Sequence, residues 1–353
     1  MIRRLLVAGL LLAGAGCGVE EIERGAAKVT APATDAHVTP PRTIRDASAP
    51  DTESAAPDPD AAASDKDTGA GGVDGAAVLR DGPGAKPDLP PVDPSAGVTI
   101  AGAFIPRDKV IAILHIGHSN MAGRATMPAA IKPYFYDTDP QLWVYGKGGF
   151  KPAQEPTAPD NEAGQAAGPG MALLRSALAI APEDSVFVSI GHGHSGSFGG
   201  YCSNFRKGGL FYDVVMKPAI ELRGKVTFGA IFTMFGQSEH QLDAASNRLF
   251  ADCLAGVAAE MRADLGEPEL PFIMGDYEAG ISRPDIAPGS ALGKVLIAQL
   301  QMAQAKIPRS MLIPTDGLEM QDNHHFDMAG HKLWAERGMK ILLDQKWAPW
   351  AKP

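Results

Sequence analysis

A short apolar run that ends in a glycine and a serine constrains the fold more than any other stretch of this chain. Residues 110–116 contain only Val, Ile, Ala, Leu and one His, and the sequence Gly-His-Ser-Asn-Met-Ala-Gly-Arg follows directly at 117–124. Such a run is typical of a central parallel strand that is covered on both faces. Ligands of open α/β sheets bind at the carboxyl ends of the strands. Ser119 is therefore predicted to lie where a nucleophile would be placed.

Strand-like and helix-like runs alternate along the rest of the chain. The predicted strands are 110–116, 185–190, 229–235, 272–275 and 310–314. The predicted helices are 169–181, 212–222, 244–265, 292–306 and 328–343. Alternation of this kind favours βαβ units and a parallel sheet between two helix layers. We therefore predict an α/β protein with a three-layer α/β/α, doubly wound, mostly parallel five-stranded sheet at residues 99–353.

The first 17 residues have the layout of an export signal. Two arginines precede an apolar core at 5–13, and small residues at 14–16 precede Cys17. The core is too short to span a bilayer as a mature helix. Small residues before a cysteine resemble the bacterial lipobox, which implies a lipid-modified Cys17 and an exported protein anchored in the cell envelope, at the outer membrane or cell surface. The alternative is ordinary cleavage and a soluble periplasmic or secreted protein.

Residues 18–98 are predicted to be a disordered linker. From residue 20 onward this stretch has no Phe, Tyr or Trp and no apolar period, so it cannot bury enough surface to offset the entropy of ordering. Residues 20–98 carry a net charge of −8, which is most of the total net charge of −9. The domain that follows is nearly neutral and offers no basic footprint for nucleic acid. Its two cysteines, Cys202 and Cys253, fit either a disulfide or two free thiols.

A general base for Ser119 is predicted in residues 321–330, between the last strand and the last helix. Asp322 and His325 are three residues apart, and on a turn that enters a helix this spacing can place both side chains on one face. The carboxylate can then hold the imidazole Nδ1 proton and leave Nε2 free to accept a proton from a serine. His324 competes for the role, and a helix-capping Asp322 beside a surface His325 is the non-catalytic alternative.

Donors for an oxyanion hole are predicted in two loops. Gln237 follows the third strand and can point its amide N–H at an oxygen above Ser119. The stretch 191–200 after the second strand is rich in glycine, which lets the backbone approach a substrate closely. The Gly-x-Ser triplets around Ser119, Ser195 and Ser238 do not complete the Gly-x-Ser-x-Gly elbow of α/β-hydrolases. An α/β-hydrolase that uses Ser195 stays as an alternative.

Taken together and in order, these stretches resemble the SGNH (GDSL-like) hydrolase superfamily. Within it they are similar to the sialate O-acetylesterase-like group, which includes acetyl xylan esterases of carbohydrate esterase family six. The matching blocks are 117–124, Gly-Pro-Gly-Met at 168–171, Gln-Ser-Glu at 237–239 and Asp-Asn-His-His-Phe at 322–326. The resemblance covers about residues 109–343.

The resemblance implies a serine esterase that removes O-acetyl groups from carbohydrates through an acetyl-enzyme, without a cofactor or a metal. It implies that Ser119 is the nucleophile, His325 the base and Asp322 its orienting partner. The implied oxyanion donors are the N–H groups of Ser119 and Gly196, with Gly193 as an alternative to Gly196, and the Gln237 amide. The implied substrate-binding residues are His118, Asn120, Arg124 and Glu239.

Three positions depart from the family pattern. His118 stands where the family has Gln, Ser238 where it has Gly, and Phe235 where it has Trp. These departures keep open a catalytically weakened lipoprotein that binds glycans. Metal chemistry at His192, His194, His240, His324 and His325 is a further alternative, although no His-Glu-x-x-His motif is present.

Overall fold

The computed structural model describes residues 95–126, 130–158, 166–194, 201–236, 239 and 244–352. The predicted signal peptide with Cys17, and the linker up to residue 94, lie outside the described residues. The same is true of Ser195, Gly196 and Gln237. Within the described ranges, no helix is both long and apolar enough to cross a membrane.

The described residues form nine strands and eight α-helices. The strands are β1 Gly97–Ile100, β2 Ala103–Pro106, β3 Val110–Gly117, β4 Leu142–Gly146, β5 Gly149–Pro152, β6 Val186–Gly193, β7 Thr227–Met234, β8 Phe272–Gly275 and β9 Ser310–Ile313. The helices are α1 Ser119–Ala122, α2 Lys132–Tyr136, α3 Gly170–Ile180, α4 Tyr212–Leu222, α5 Ala244–Arg248, α6 Phe250–Leu265, α7 Ala291–Lys306 and α8 Met328–Asp344. β1 and β2 form a separate antiparallel pair.

The central sheet has seven strands in the order β5-β4-β6-β3-β7-β8-β9, and all neighbours are parallel except β4 and β5. The predicted fold class is confirmed, but the predicted count of five strands is too low. The two missing strands form the edge hairpin β4–β5, whose residues are mostly half-buried or exposed. A half-exposed edge hairpin lacks the continuous apolar run by which buried parallel strands are recognised.

β3 lies in the centre of the sheet and carries Ser119 just beyond its end. All eight of its residues are buried, and it pairs with β6 on one side and β7 on the other. Alternate side chains point to opposite faces of a strand. Ala112, Leu114 and Ile116 pack into the core that includes α4, α6 and α7, whereas Ile111 and Ile113 pack into the core that includes α3 and α8. Both faces of β3 therefore need apolar side chains, which explains the continuous apolar run in the sequence.

The predicted helices begin and end close to their predicted bounds, with one difference, and the short helices α1 and α2 were not predicted. The predicted helix 244–265 is divided into α5 and α6 at Leu249, which has a non-helical backbone. α7 and α8 each have a side-chain N-cap, because Ser290 Oγ accepts from Gly293 N and Asp327 Oδ1 accepts from Gly330 N. Caps of this kind contribute about 1 kcal/mol each to stability.

Cys202 and Cys253 form a disulfide that joins the 3-10 turn Cys202–Phe205, which follows the glycine-rich loop after β6, to α6. The sequence left this pairing open. The bond closes a loop with a sequence separation of 51 residues. Restricting the unfolded chain in this way is worth about 4 kcal/mol by the chain-entropy relation.

Reduction of this disulfide is expected to lower the free energy of unfolding by about 3 to 4 kcal/mol. Denaturant unfolding, measured with and without a thiol reductant, checks the size of the effect. Cys253→Ser serves as the control, since its stability should match that of the reduced protein and should not respond to the reductant. Equal unfolding midpoints for oxidised and reduced protein would contradict the expectation.

Candidate active site

Ser119 is placed by a tight junction between β3 and α1. Gly117 has φ 158°, and a Cβ at this position would lie 2.3 Å from Met234 O, so only glycine fits. The backbone on either side is fixed by bonds to the flanking strands: His118 N donates to Met234 O at 2.9 Å, and His194 N donates to Gly117 O at 2.9 Å. Ser119 is therefore held at the carboxyl edge of the sheet.

Ser119, His325 and Asp322 form a chain of hydrogen-bond contacts. Ser119 Oγ lies 2.9 Å from His325 Nε2, and His325 Nδ1 lies 2.8 Å from Asp322 Oδ2. Asp322 and His325 both lie in the loop between β9 and α8, and their three-residue spacing predicted the contact between them. The neighbouring His324 instead contacts Asn323 Oδ1 with its own Nδ1. The structure thus brings together the three residues predicted to be catalytic.

Asp322 also shapes the turn that presents His325. Its Oδ1 accepts from the backbone N of His324 at 2.8 Å and from that of His325 at 2.7 Å. The N-cap of α8 is Asp327, so Asp322 is not a helix cap. Burial alone would raise the pKa of Asp322, but these two backbone bonds and the bond from the His325 ring hold it below its ordinary value. The carboxylate is consequently charged at neutral pH.

The pKa of His325 is lowered from its ordinary value of 6.5 because the side chain is largely buried. The hydrogen bond and the charge of Asp322 oppose this effect, and the charge of Arg124 adds to it. The imidazole is therefore neutral at pH 7. With Asp322 accepting the Nδ1 proton, Nε2 has a free lone pair directed at Ser119 Oγ, which is the arrangement that a general base needs.

The side chain of Asn120 holds the loop of His325 in place through two hydrogen bonds. Its Nδ2 donates to His324 O at 3.2 Å, and its Oδ1 accepts from Phe326 N at 3.0 Å. The side chain thus bonds to the backbone on both sides of His325. Asn120 is fully buried. It was predicted to bind substrate, but both of its polar atoms are engaged by this loop, so its position fits fixing the distance between Ser119 and His325.

Gln321 forms a second pair of hydrogen bonds that holds this loop, and the sequence analysis did not identify it. Its Oε1 accepts from Thr126 N at 2.7 Å, and its Nε2 donates to Arg124 O at 2.7 Å. These bonds fasten the loop of the base to the segment after α1. The sequence feature that could have pointed to Gln321 is its position next to Asp322, at the start of the stretch that carries His325. Arg124, predicted to bind substrate, is half-buried and donates from Nη1 to Gly123 O.

His118 and Glu239 were also predicted to bind substrate, and the structure places both in the interior. His118 is 0% exposed and Glu239 is 1% exposed. His118 Nε2 lies 3.2 Å from Glu239 Oε2. Side chains this deeply buried cannot touch a substrate, so their assignment changes from binding to support of the loops around Ser119.

Another buried carboxylate explains the Gly-Pro-Gly-Met block. Glu155 accepts from the backbone N of Thr157, Gly168 and Met171, at 3.0, 3.2 and 2.6 Å. It therefore satisfies N–H groups at the start of α3, where the helix dipole favours a negative group. Burial raises the pKa of Glu155 to about 7, although these bonds oppose the shift. The sequence reasoning did not identify Glu155.

Of the predicted oxyanion donors, only Ser119 falls within the described residues. It is the first residue of α1, and N–H groups at this end of a helix have no partner within the helix. Gly193, the alternative to Gly196, donates its N–H to Ala158 O at 2.9 Å. Its N–H is therefore occupied, which leaves Gly196 as the predicted donor in that loop.

The described residues contain one group that could hold a metal, formed by Asp322, His324 and His325, with one possible ligand atom of each within 4.8 Å of the others. His325 already contacts Asp322 through Nδ1 and Ser119 through Nε2. A metal would have to displace one of these contacts, so the arrangement fits an acid-base role better. His192 and His194 do not join a group of metal-ligand type in this part of the chain.

A cleft of about 830 Å³ opens between the β4–β5 hairpin and α4. Its floor includes Gly191 and His192, and in the register of β6 and β3 His192 lies opposite Ile116, three residues before Ser119. Because neighbouring strands are about 4.8 Å apart, this part of the cleft lies close to the end of β3. Apolar groups line its walls together with Tyr145, whose hydroxyl donates to Glu221 Oε2 at 2.8 Å. The cleft thus combines apolar surface with a few polar groups near the carboxyl edge of the sheet.

Comparison with known structures agrees with the fold. A protein of Arabidopsis thaliana has a similar structure over 68% of this chain and 99% of its own, with a TM-score of 0.54 and 20% identity. The structure of NanS is similar over 69% of this chain and 99% of its own, with a TM-score of 0.50 and 13% identity. These identities support the fold alone. None of the curated proteins matches the sequence.

The family comparison reaches further. Residues 109–343 match the family model described as "Carbohydrate esterase, sialic acid-specific acetylesterase". This range is two thirds of the chain and includes β3, Ser119, the Gly-Pro-Gly-Met block and the loop of Asp322 and His325. The chain therefore belongs to this family of carbohydrate esterases and is a carboxylic ester hydrolase.

Proposed function

We propose that the protein removes O-acetyl groups from carbohydrates, with Ser119 as nucleophile, His325 as general base and Asp322 as the residue that orients the base. The observation that carries the proposal is the continuous chain of contacts from Ser119 Oγ to His325 Nε2 and from His325 Nδ1 to Asp322 Oδ2, at 2.9 and 2.8 Å. Each distance is within hydrogen-bond reach, and the neutral base is the protonation state that the reaction requires.

In the first half of the reaction, His325 Nε2 takes the hydroxyl proton as Ser119 Oγ attacks the acetyl carbonyl carbon. The tetrahedral intermediate collapses, the bond to the sugar oxygen breaks, and His325 returns its proton to that oxygen. This leaves an acetyl-enzyme on Ser119. In the second half His325 deprotonates a water molecule, which attacks the acetyl group, and acetate leaves as Ser119 regains its proton. Asp322 stabilises the imidazolium in both halves.

The oxyanion of each tetrahedral intermediate is proposed to accept hydrogen bonds from the N–H groups of Ser119 and Gly196 and from the Gln237 amide. A single donor of this type contributes about 10²- to 10³-fold to kcat. Support for this set comes from the place of Ser119 at the start of α1 and from the occupied N–H of Gly193.

The sugar is proposed to occupy the cleft between the β4–β5 hairpin and α4, and Arg124 is proposed as a further substrate-binding residue. The volume of about 830 Å³ is far more than an acetyl group fills and is in the range of small-molecule sites. Sugars present both C–H faces and hydroxyl groups, and the walls offer both apolar surface and polar groups. We further propose that Cys17 anchors the protein to the cell envelope by a lipid, so that the linker holds the domain away from the membrane.

A non-catalytic glycan-binding role is less well supported, because binding alone would not require the aligned contacts among Ser119, His325 and Asp322. An acetate-release screen over acetylated xylan, O-acetylated sialic acids and acetylated peptidoglycan fragments tests the proposal and identifies the sugar. Release from at least one substrate is expected, and it should persist in strong chelator. Glycan binding without acetate release from any of them would favour the non-catalytic alternative.

The pH profile of kcat/KM should reflect the neutral form of His325. Because burial lowers the pKa of His325 below 6.5, the base keeps its free lone pair at pH 7 and loses it only as the pH falls through the lowered pKa. We expect a plateau at neutral pH and an acid limb with a midpoint below pH 6.5. Initial rates with a small aryl acetate between pH 4 and 8 measure this midpoint, and a midpoint above pH 7 would contradict it.

A further inference from the structure

We infer that Glu239 is a positioning residue, and that its carboxylate holds the segment of the nucleophile Ser119 against the segments of Gly236 and Cys202. The inference rests on the proposed function and extends it to a buried group that does not contact the substrate. It also gives His118 a specific task as the partner of Glu239 on the segment of the nucleophile.

The two oxygens of Glu239 contact three separate segments. Oε1 accepts from the backbone N of Cys202 at 3.0 Å. Oε2 accepts from the backbone N of Gly236 at 3.2 Å and lies 3.2 Å from Nε2 of His118. Burying a carboxylate is costly unless its oxygens are paired. Two backbone N–H groups donate to this carboxylate and the His118 ring lies beside it, which offsets part of that cost and fixes the relative position of the three segments.

Each of these segments borders a group that the reaction needs. His118 directly precedes Ser119, and Gly236 directly precedes Gln237. Cys202 follows the loop in which Gly196 lies and is fastened on its other side by the disulfide to Cys253. Glu239 therefore anchors the nucleophile segment and one end of both loops that carry the remaining oxyanion donors. Electrostatic stabilisation of an oxyanion depends on donors that are fixed before the reaction begins.

The contact with His118 explains how this chain tolerates a histidine in place of glutamine. Both side chains can place a polar nitrogen beside the carboxylate, as His118 Nε2 does at 3.2 Å. The imidazole is also held by the ring of Phe235, which packs edge-on against it with centroids 5.0 Å apart. Phe235 is the position where the family has Trp. The two departures from the family pattern thus lie in contact with each other.

Glu239→Gln tests the inference because it keeps the size of the side chain but replaces one oxygen by an NH2 group. A donor then faces N–H groups that are themselves donors, so the loops lose their common acceptor. Misplacement of catalytic groups by about 1 Å costs on the order of 100-fold in rate. We expect kcat for a small aryl acetate to fall about 100-fold with less than a threefold change in KM. Labelling of Ser119 by an organophosphonate should slow by a similar factor.

Two pairs of variants separate positioning from a general structural role. Glu183→Gln removes an equal charge from an exposed position at the far end of the domain and should leave kcat unchanged. His118→Gln keeps a polar nitrogen beside Glu239 and should retain kcat within about threefold, whereas His118→Leu removes this polar contact and should reproduce the loss seen in Glu239→Gln. The His118 pair also decides the question if Glu239→Gln fails to fold.

Wild-type kcat in Glu239→Gln, or equal kcat in His118→Gln and His118→Leu, would overturn the inference while leaving the esterase assignment in place. Failure of the wild-type protein to hydrolyse any acetyl ester or to be labelled at Ser119 would instead remove the proposed function, and the positioning role with it. Aryl acetate hydrolysis by the wild-type protein is therefore the first measurement in the series.

Discussion

Ser119→Ala is expected to lower kcat for ester hydrolysis by at least about 10⁴-fold. The variant lacks the oxygen that attacks the carbonyl carbon, so no acetyl-enzyme can form. His325 loses its hydroxyl partner at 2.9 Å but keeps Asp322. Substrate binding should change little, because the substitution removes a single hydroxyl group. Initial rates with an aryl acetate and with the sugar found in the acetate screen measure the loss.

Ser195→Ala is the matched control for this experiment. Both variants remove one hydroxyl from a Gly-x-Ser triplet, and within the described residues Ser119 Oγ contacts His325 Nε2. Ser195 lies outside those residues. We expect kcat of Ser195→Ala to stay close to that of the wild-type protein. Substantial activity in Ser119→Ala together with a collapse in Ser195→Ala would instead point to the α/β-hydrolase alternative.

The position of Ser119, Asp322 and His325 could be predicted because each depends on a local rule. Parallel strands end at a common edge, which places Ser119, and a three-residue spacing on a turn brings a carboxylate to an imidazole. The contact across more than 200 residues between Ser119 and His325 follows once both stretches are placed at the same edge. The strand and helix pattern that fixes this edge is encoded in apolar runs of the chain.

The supporting residues could not be predicted, because their roles depend on burial and on distant partners. Asn120 and Glu239 are polar residues within functional blocks, and polarity favours a substrate-binding interpretation. Their full burial is visible only once Asn120 is seen to contact His324 and Phe326, and Glu239 to contact Cys202. Glu155 has no local pattern, and Gln321 offers only its position next to Asp322. Side chains that bond to the backbone of another segment leave no periodic trace in the sequence.

The disulfide and the edge hairpin were missed or left open for a related reason. Two cysteines 51 residues apart can pair only if the fold brings their Cα atoms close, and here the distance is 6.2 Å. That distance depends on how the turn after the β6 loop packs on α6. The hairpin β4–β5 depends on pairing with β6 at the edge of the sheet, where the selection for apolar residues is weak.

Asp322→Asn is expected to lower kcat about 10³- to 10⁴-fold without unfolding the protein. The asparagine oxygen can still accept from the backbone N of His324 and His325, so the turn keeps its shape. Its NH2 group then faces His325 Nδ1 and favours the tautomer with the proton on Nε2. That tautomer cannot accept a proton from Ser119. Steady-state kinetics and a thermal unfolding curve together separate this chemical defect from a loss of stability.

The same substitution should move the acid limb of the pH profile to lower pH. The charge and hydrogen bond of Asp322 raise the pKa of His325 against the larger effect of burial, so their loss lowers that pKa further. We therefore expect kcat to fall strongly and the midpoint of the acid limb to move to lower pH. Asp327→Asn is the matched control, since Asp327 caps α8 five residues later and asparagine is an equally good N-cap. A wild-type rate in Asp322→Asn, or an acid limb displaced upward, would show that Asp322 does not orient the base.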